Sequence, residues 1–456
     1  MRFVNRDREL NKLEGWWEEP RGSLGLVWGR RRAGKTALIE RFARSRRSIF
    51  HAVSGRPEEQ ELLALSRAAA PALAGGRDVD ARPFESWDDA FAALAAAAQS
   101  NRLLVVFDEF PDLTGVTPWL AGLMRNLWDR YRDRTHLKIL LSGSAVRTTL
   151  AIQEYRAPLY GRFDLTLRVD PFAPHEAALM LQDLAPADRA LVWGLVGGIP
   201  LYLSWWDQQR SVEENLLDLA CNREGTLYRE GLTVLATEAE MGDLGKRVLY
   251  AIAHGRTRRN EIHDAVKEDP TRTLEGLVEL RLVEQLSPAT EDYRLTLRRA
   301  YRVADNFLAF WLGVVDLYRA EIELDNGETI VRDMMRRVDD FMGSRWEEAF
   351  RWHLRRMARD GQLGEEVVRI GPFWTPGEEA NEIDAIVLGA RWRPVLVGEA
   401  KWARRVDAAR LRRQLERKAA ALPDPASDLR YAVCAREAVD NADGVLAITA
   451  ADIFDG

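Results

Sequence analysis

The sequence predicts an α/β protein in three parts: a parallel sheet around a glycine-rich loop, a helical module ending in a hairpin, and a smaller α/β sheet carrying acids. Three observations predict it. The apolar run Leu24 to Trp28 feeds into Gly29, Arg30, Arg31, Arg32, Ala33, Gly34, Lys35 and Thr36, and helical spacing follows at Ala37, Leu38, Ile39 and Phe42. A second apolar run, Leu103 to Phe107, ends in Asp108 and Glu109. Far downstream, Glu382 to Leu388 and Pro394 to Lys401 read as two strands, the first carrying Asp384 and the second ending in Glu399-x-Lys401.

A chain of 456 residues exceeds what one hydrophobic core usually serves. The divisions expected are 1–235, 236–305 and 306–456. With 46% hydrophobic and 30% charged residues, the composition is that of a globular protein rather than a disordered or fibrous one. Cys221 and Cys434 lie far apart and lack the paired spacing of a disulfide framework or zinc site, which fits a reducing cytoplasm. The start is charged (Arg2, Arg6, Asp7, Arg8, Glu9), unlike a secretory signal, and no apolar run approaches the roughly 20 residues that span a bilayer. A soluble cytoplasmic protein with no membrane partner is expected. The net charge of -6 argues against blanket positive charge for DNA binding and leaves local clusters, at Arg30 to Arg32, Arg256 to Arg259 and Lys401 to Lys418.

The first motif is G-x-x-x-x-G-K-T without a mismatch, in strand, loop and helix context. Its glycines let backbone N–H groups turn inward around phosphates, Lys35 adds a point charge at the outer phosphates, and the Thr36 hydroxyl can ligate magnesium. ATP with Mg2+ is the expected cofactor. Such a loop needs a metal-organising carboxylate at the end of a neighbouring strand. Asp108 is expected to hold magnesium through water, and Glu109 to polarise the attacking water. A third strand, Leu137 to Leu141, ends in Ser142, Gly143 and Ser144, where small hydroxyls could sense the terminal phosphate. Arg162 could neutralise transition-state charge in its own subunit or across an interface of an oligomer, or be a surface ion pair. Gly197, Gly198, Ile199 and Pro200 interrupt a helical stretch and could be helix punctuation alone.

These residues resemble the archaeal-type ATPases, an AAA-related and STAND-like branch of the P-loop proteins. The resemblance rests on Phe3, Val4, Asn5, Arg6, Glu9 and Leu10, the arginine-rich loop Gly29 to Thr36, Asp108 to Phe110, Ser142 to Ser144, Gly161, Arg162 and Gly197 to Tyr202. It covers roughly the first 230 residues and implies a P-loop NTPase sheet with a helical lid. In it Ser142 or Ser144 reads the phosphates, and the segment around Gly198 and Pro200 packs near the base.

From Leu244 to about Leu297 the pattern reads as helices at Lys246 to His254, Asn260 to Val266 and Thr271 to Leu280, then strands at Val283 to Leu286 and Tyr293 to Leu297. That is the arithmetic of a winged helix, with the third helix entering the major groove through Thr271, Arg272 and Thr273 and with Arg298 and Arg299 on phosphates. Glu275 and Glu279 on the same helix oppose DNA and fit a spacer equally well.

In the last part, side chains alternate along a strand, so Glu399 and Lys401 share a face, and adjacent pairing would bring Asp384 beside them. Two carboxylates and a lysine can bind magnesium, orient water and stabilise charge on a phosphodiester. This looks like the pattern of PD-(D/E)XK nucleases, with their restriction-endonuclease-like α/β fold. The resemblance implies that Asp384 and Glu399 are metal ligands, that Lys401 stabilises charge, and that an acid on the preceding helix completes the site. Glu347 is the first choice for that acid, after Gly343 and Trp346, and Glu348 the second. The basic helix after Lys401, with Arg404, Arg405, Arg410, Arg412, Arg413, Arg417 and Lys418, would face nucleic acid, and Gln414 could join the site.

The function expected is ATP binding and hydrolysis controlling a magnesium-dependent nuclease domain on DNA, in nucleic-acid processing or defence. The alternative is a non-catalytic nucleotide-driven switch that binds DNA or a protein partner.

Overall fold

All six positions of strand β1 (Ser23–Trp28) are buried, as are all six of β3 (Leu103–Asp108) and all seven of β4 (Leu137–Gly143), the signature of parallel strands covered on both faces. The computed structural model describes residues 3–73, 78, 79, 81–144, 149, 151–237, 242–364, 366–375 and 381–455. It divides into a first unit, 1–171, and a second, 172–456.

In the first unit β2 (Ser48–Ala52) and β5 (Leu165–Arg168) complete an all-parallel sheet in the order β2-β3-β4-β1-β5. Side chains alternate between the faces: Leu103, Val105 and Phe107 pack into one core, Leu104 and Val106 into the other. Helices α1 (Asp7–Glu18) and α2 (Lys35–Ala43) cover the second core with Leu13, Trp16, Leu38 and Phe42. Helices α3 (Glu58–Leu73), α4 (Trp87–Ala97), α5 (Phe110–Val116) and α6 (Leu120–Tyr131) contribute to the first. There Trp87, fully buried, stands 6.3 Å from the Phe107 ring. One expectation is corrected. Strand β3 is not the neighbour of β1, because β4 lies between them, and this puts Ser142 between the loop and Asp108.

The second unit begins at Phe172. Helix α7 (Pro186–Val196) packs on later parts of the same unit: Trp193 lies edge-on to Phe454 at 6.3 Å, and its carbonyl accepts from the Asn306 amide at 3.0 Å. Helix α8 (Pro200–Trp205) follows a close crossing of backbones. A Cβ on Gly198 would sit 1.9 Å from the Phe172 carbonyl oxygen, and the Phe172 N–H donates to the Gly198 carbonyl at 2.7 Å. The glycine is therefore a packing requirement. Gly198→Ala is expected to destabilise the protein by about 1–3 kcal/mol, the usual range for overpacking, measured as a lower denaturant midpoint.

Helices α9 (Gly242–Ala253), α10 (Arg259–Val266) and α11 (Thr271–Glu279) lead into an antiparallel hairpin of β6 (Val283–Leu286) and β7 (Ala300–Val303). The second hairpin strand expected from sequence, Tyr293 to Leu297, is instead part of the connection. Leu295 and Leu297 are 80% and 96% exposed there, since their alternation buries only Thr296 and matches no facing strand. Arg298 and Arg299 accordingly precede β7, and Arg298 pairs with Glu291 and donates to the Trp374 carbonyl at 3.1 Å.

The long helix α12 (Gly327–Arg359) then packs on a mixed sheet of β8 (Arg369–Trp374), β9 (Glu382–Leu388), β10 (Pro394–Lys401), β12 (Arg430–Ala435) and β14 (Leu446–Ile448), ordered β14-β12-β10-β9-β8. β8, β9 and β10 pair antiparallel, while β12 and β14 join parallel. A small parallel pair, β11 (Arg405–Asp407) and β13 (Ala438–Asp440), and helices α13 (Ala408–Ala419) and α14 (Ala450–Phe454) complete the unit. Cys221 and Cys434 are buried free thiols. Among the described residues no helix is long and apolar enough to cross a membrane.

Candidate functional site

The first site lies at the ends of β1, β3 and β4. Gly29 leaves β1 with φ 154°, and a Cβ there would lie 2.3 Å from the Val169 carbonyl oxygen, so only glycine lets the chain turn at this point. Arg32 and Gly34 also have left-handed backbones, at φ 67° and 91°, and the coil closes into the N-terminus of α2. Buried Arg6 braces this loop, donating to the carbonyls of Ala33 at 2.9 Å and Asp170 at 2.8 Å while pairing with Glu9 at 3.1 Å.

Lys35 is buried, and its ammonium donates to the carbonyls of Gly29 at 3.1 Å and Arg30 at 2.9 Å. Burial pushes its pKa below the ordinary lysine value, against the pull of Glu109 and Asp108. The Thr36 hydroxyl donates to Asp108 Oδ2 at 2.8 Å, and the Ser142 hydroxyl donates to Asp108 Oδ1. Glu109 holds φ 58°, a strained conformation for a side-chain-bearing residue, and accepts from the Ser144 N–H at 2.9 Å. A hydroxyl beside a carboxylate at a helix N-terminus is a hard oxygen set, suited to Mg2+ carried by a phosphate.

The Arg162 guanidinium forms a two-point pair with Asp129, at 3.1 and 2.9 Å, and donates to the Tyr160 carbonyl, an ion pair of the kind the sequence also allowed. Pro200 is buried at the start of α8 in the second unit.

The second site is built by α12, β9 and β10. The antiparallel register pairs Gly398 with Ala385, which brings Asp384 and Glu399 together at the next step. Gly398 lets α12 approach: a Cβ there would lie 2.5 Å from the Phe350 ring. Asp384 is buried, and its Oδ2 accepts the Ala400 N–H at 2.8 Å. Burial, then the charges of Glu347 and Glu399, push its carboxyl up to about 7 against the pull of the Ala400 N–H and Lys401. Buried Glu399 pairs with Lys401 at 2.7 Å and with Lys418 at 2.8 Å. Burial raises the Glu347 carboxyl as well, with Arg351 opposing and Glu382 reinforcing the rise. Asp384 and Glu399 share a face of the sheet with Lys401, and Glu347 comes from α12; carboxylates are the oxygen donors a divalent cation takes. As they stand, no three acid, histidine or cysteine groups among the described residues converge tightly enough to hold an ion.

Lys418, expected only as part of a basic helix, turns inward onto Glu399. The exposed arginines Arg410, Arg413 and Arg417 follow helical spacing along one face of α13, whereas Arg404, Arg405 and Arg412 pair with Glu437, Asp440 and Glu416.

Glu348 is not a member of this cluster. Burial alone would raise its pKa, but Arg302, Arg351 and Arg355 hold the carboxyl far below the ordinary range. It lies 2.9, 3.2 and 3.3 Å from those guanidinium groups. Sequence reasoning missed this network because Arg302 lies on β7, in a segment assigned to a different domain.

Residues 3–205 match the family model of an ATPase domain found predominantly in Archaea, and residues 311–414 match a family described as archaeal and bacterial proteins of unknown function. An uncharacterized protein of Methanocaldococcus jannaschii is 25% identical over 410 residues, 88% of this chain and 87% of that protein. An uncharacterized ATP-binding protein of the same organism is 47% identical over 52 residues, 10% of this chain and 88% of its own length. Among solved structures, the Walker-type ATPase of Pyrococcus abyssi superposes with a TM-score of 0.53 at 24% identity, covering 68% of this chain and 96% of that one. The chain thus carries an archaeal-type ATPase domain with the P-loop fold.

Proposed function

We propose that this archaeal-type ATPase uses ATP binding and hydrolysis to control a magnesium-dependent nuclease domain, formed by α12 and the mixed sheet, that acts on DNA. The observation that carries the proposal is the β9–β10 register that sets Asp384 against Glu399, itself paired with Lys401 at 2.7 Å, with the charge of Glu347 felt at Asp384. Burial, then the charges of Glu347 and Glu399, push the Asp384 carboxyl up to about 7, so its ionised form is unfavourable until a cation arrives, which supports a functional site here.

In the ATPase half, Lys35 would leave its two loop carbonyls for the outer phosphates. Thr36 and Asp108 would hold Mg2+, and Glu109 would orient the attacking water, with Ser142 fixing Asp108 between them. In the nuclease half Glu347, Asp384 and Glu399 would hold Mg2+, which when bound supplies Lewis-acid activation of water. Lys401, whose pKa is raised because the nearby acids outweigh burial, stays protonated to stabilise charge on the phosphodiester. The arginine face of α13 would track the backbone of the nucleic acid. The helices and hairpin between 242 and 303 are proposed as a winged helix, the module through which DNA or a protein partner is engaged.

A second reading is a nucleotide-driven switch that binds DNA or a protein without cutting. It is favoured by the two lysines that already neutralise Glu399. The test is incubation of the full chain with single-stranded, linear and supercoiled DNA in Mg2+ or Mn2+, with and without ATP. Cutting that depends on metal and responds to ATP is expected; binding without cutting under every condition overturns the nuclease and selects the switch.

A further inference from the structure

Between the hairpin and the carboxylates runs a chain of alternating charges. Glu284 on β6 faces Arg302 directly across the β6–β7 ladder, and the two groups approach to 2.5 Å. The same Arg302 guanidinium reaches Glu348 of α12 at 2.9 Å. Glu348 in turn binds Arg351 one turn later, at 3.2 Å. Arg351 then donates to the backbone carbonyl of Asp384 at 2.6 Å and lies 3.6 Å from Glu347. Glu348 and Arg351 are buried, as is most of the Arg302 side chain, so these contacts are weakly screened by solvent.

Arg302 divides its donors between two carboxylates, and Arg351 divides its own among two carboxylates and a backbone carbonyl. If Arg302 is withdrawn, Glu348 is left with Arg351 and Arg355 alone and draws the Arg351 guanidinium toward itself. That draws it away from the Asp384 carbonyl and from Glu347. The groups that orient two of the three acids are therefore tied, link by link, to the register of a hairpin outside the sheet.

Resting on the nuclease reading above, we propose that the β6–β7 hairpin sets the geometry of the carboxylate site through the relay Glu284–Arg302–Glu348–Arg351. In this relay Glu348 and Arg351 are positioning residues for Glu347 and Asp384. An event that displaces the hairpin is felt at the metal-binding acids without any residue of the hairpin touching the metal or the substrate.

The experiment titrates Mn2+ into the full chain, without nucleotide, and follows the metal by electron paramagnetic resonance. Comparison with Asp384→Asn isolates the binding that belongs to the carboxylate site. Arg302→Met is expected to weaken that component about tenfold, in line with other residues that orient metal ligands, and Arg302→Lys to recover part of it. Glu284→Gln, at a half-exposed position that tolerates change, is expected to weaken it about threefold and serves if Arg302→Met does not fold. Asp384-dependent binding that is unchanged in both Arg302→Met and Glu284→Gln overturns the relay and leaves the metal site standing. Wild-type binding that does not depend on Asp384 overturns the metal site itself, and the relay with it.

Discussion

Lys35→Ala is expected to lower ATP hydrolysis by at least about a hundredfold, the cost of removing one preorganised charge-stabilising donor, with the largest effect on turnover. The reason lies in how this lysine is held. It is buried at the base of the loop, donates to the carbonyls of Gly29 and Arg30, and shares its surroundings with Asp108 and Glu109. A methyl group removes the buried ammonium that offsets those two acids beside the outer phosphates, so attraction weakens where negative charge accumulates. The loop itself should persist, because Gly29, Gly34 and the Arg6 brace do not depend on the lysine. The check is phosphate release alongside circular dichroism. Hydrolysis at the wild-type rate in a folded variant would rule out this loop as the catalytic centre.

Asp384→Asn is expected to abolish metal-dependent cutting while raising the thermal stability of the metal-free protein near neutral pH. The two effects share a cause. Asp384 is buried beside Glu347 and Glu399, so its carboxyl is pushed up to about 7, well above the ordinary aspartate range. For a group shifted that way, folding loses stability as pH climbs from the ordinary aspartate range through about 7, because the unfolded chain ionises freely and the folded one does not. Asparagine removes that penalty and keeps an oxygen to accept the Ala400 N–H. The gain should fade at acid pH, where the carboxyl is protonated in both states. Melting curves at neutral and acid pH, with a cleavage assay, test the pair of effects. A variant that cuts as well as wild type would remove Asp384 from the chemistry, and one that melts lower at neutral pH would contradict the crowding of charges.

The two sites were unequally legible in sequence. The phosphate loop is contiguous, and its strand, glycines and helix can be read without knowing what lies beside them; Asp108 and Glu109 follow from one apolar run that ends in acids. The order of strands cannot be read that way, and the expectation that β3 borders β1 failed because pairing partners are chosen by the packing of crossovers. The hairpin strand at Tyr293 to Leu297 failed for a related reason. Alternation marks a strand only when another strand is available to pair with it, and that partner for β6 is Ala300–Val303.

What the sequence determined by itself is therefore local: the phosphate loop with its helix, the buried strands, and the residue types on β9 and β10. The tertiary structure alone decided that Lys418 closes on Glu399, that Arg162 pairs with Asp129, and that Glu348 is held by Arg302, Arg351 and Arg355. Those outcomes depend on charges brought together from distant segments. At the buried acids Glu399 and Glu348 the low-dielectric surroundings strengthen the pull of the nearest opposite charge, and which charge is nearest is a property of the fold.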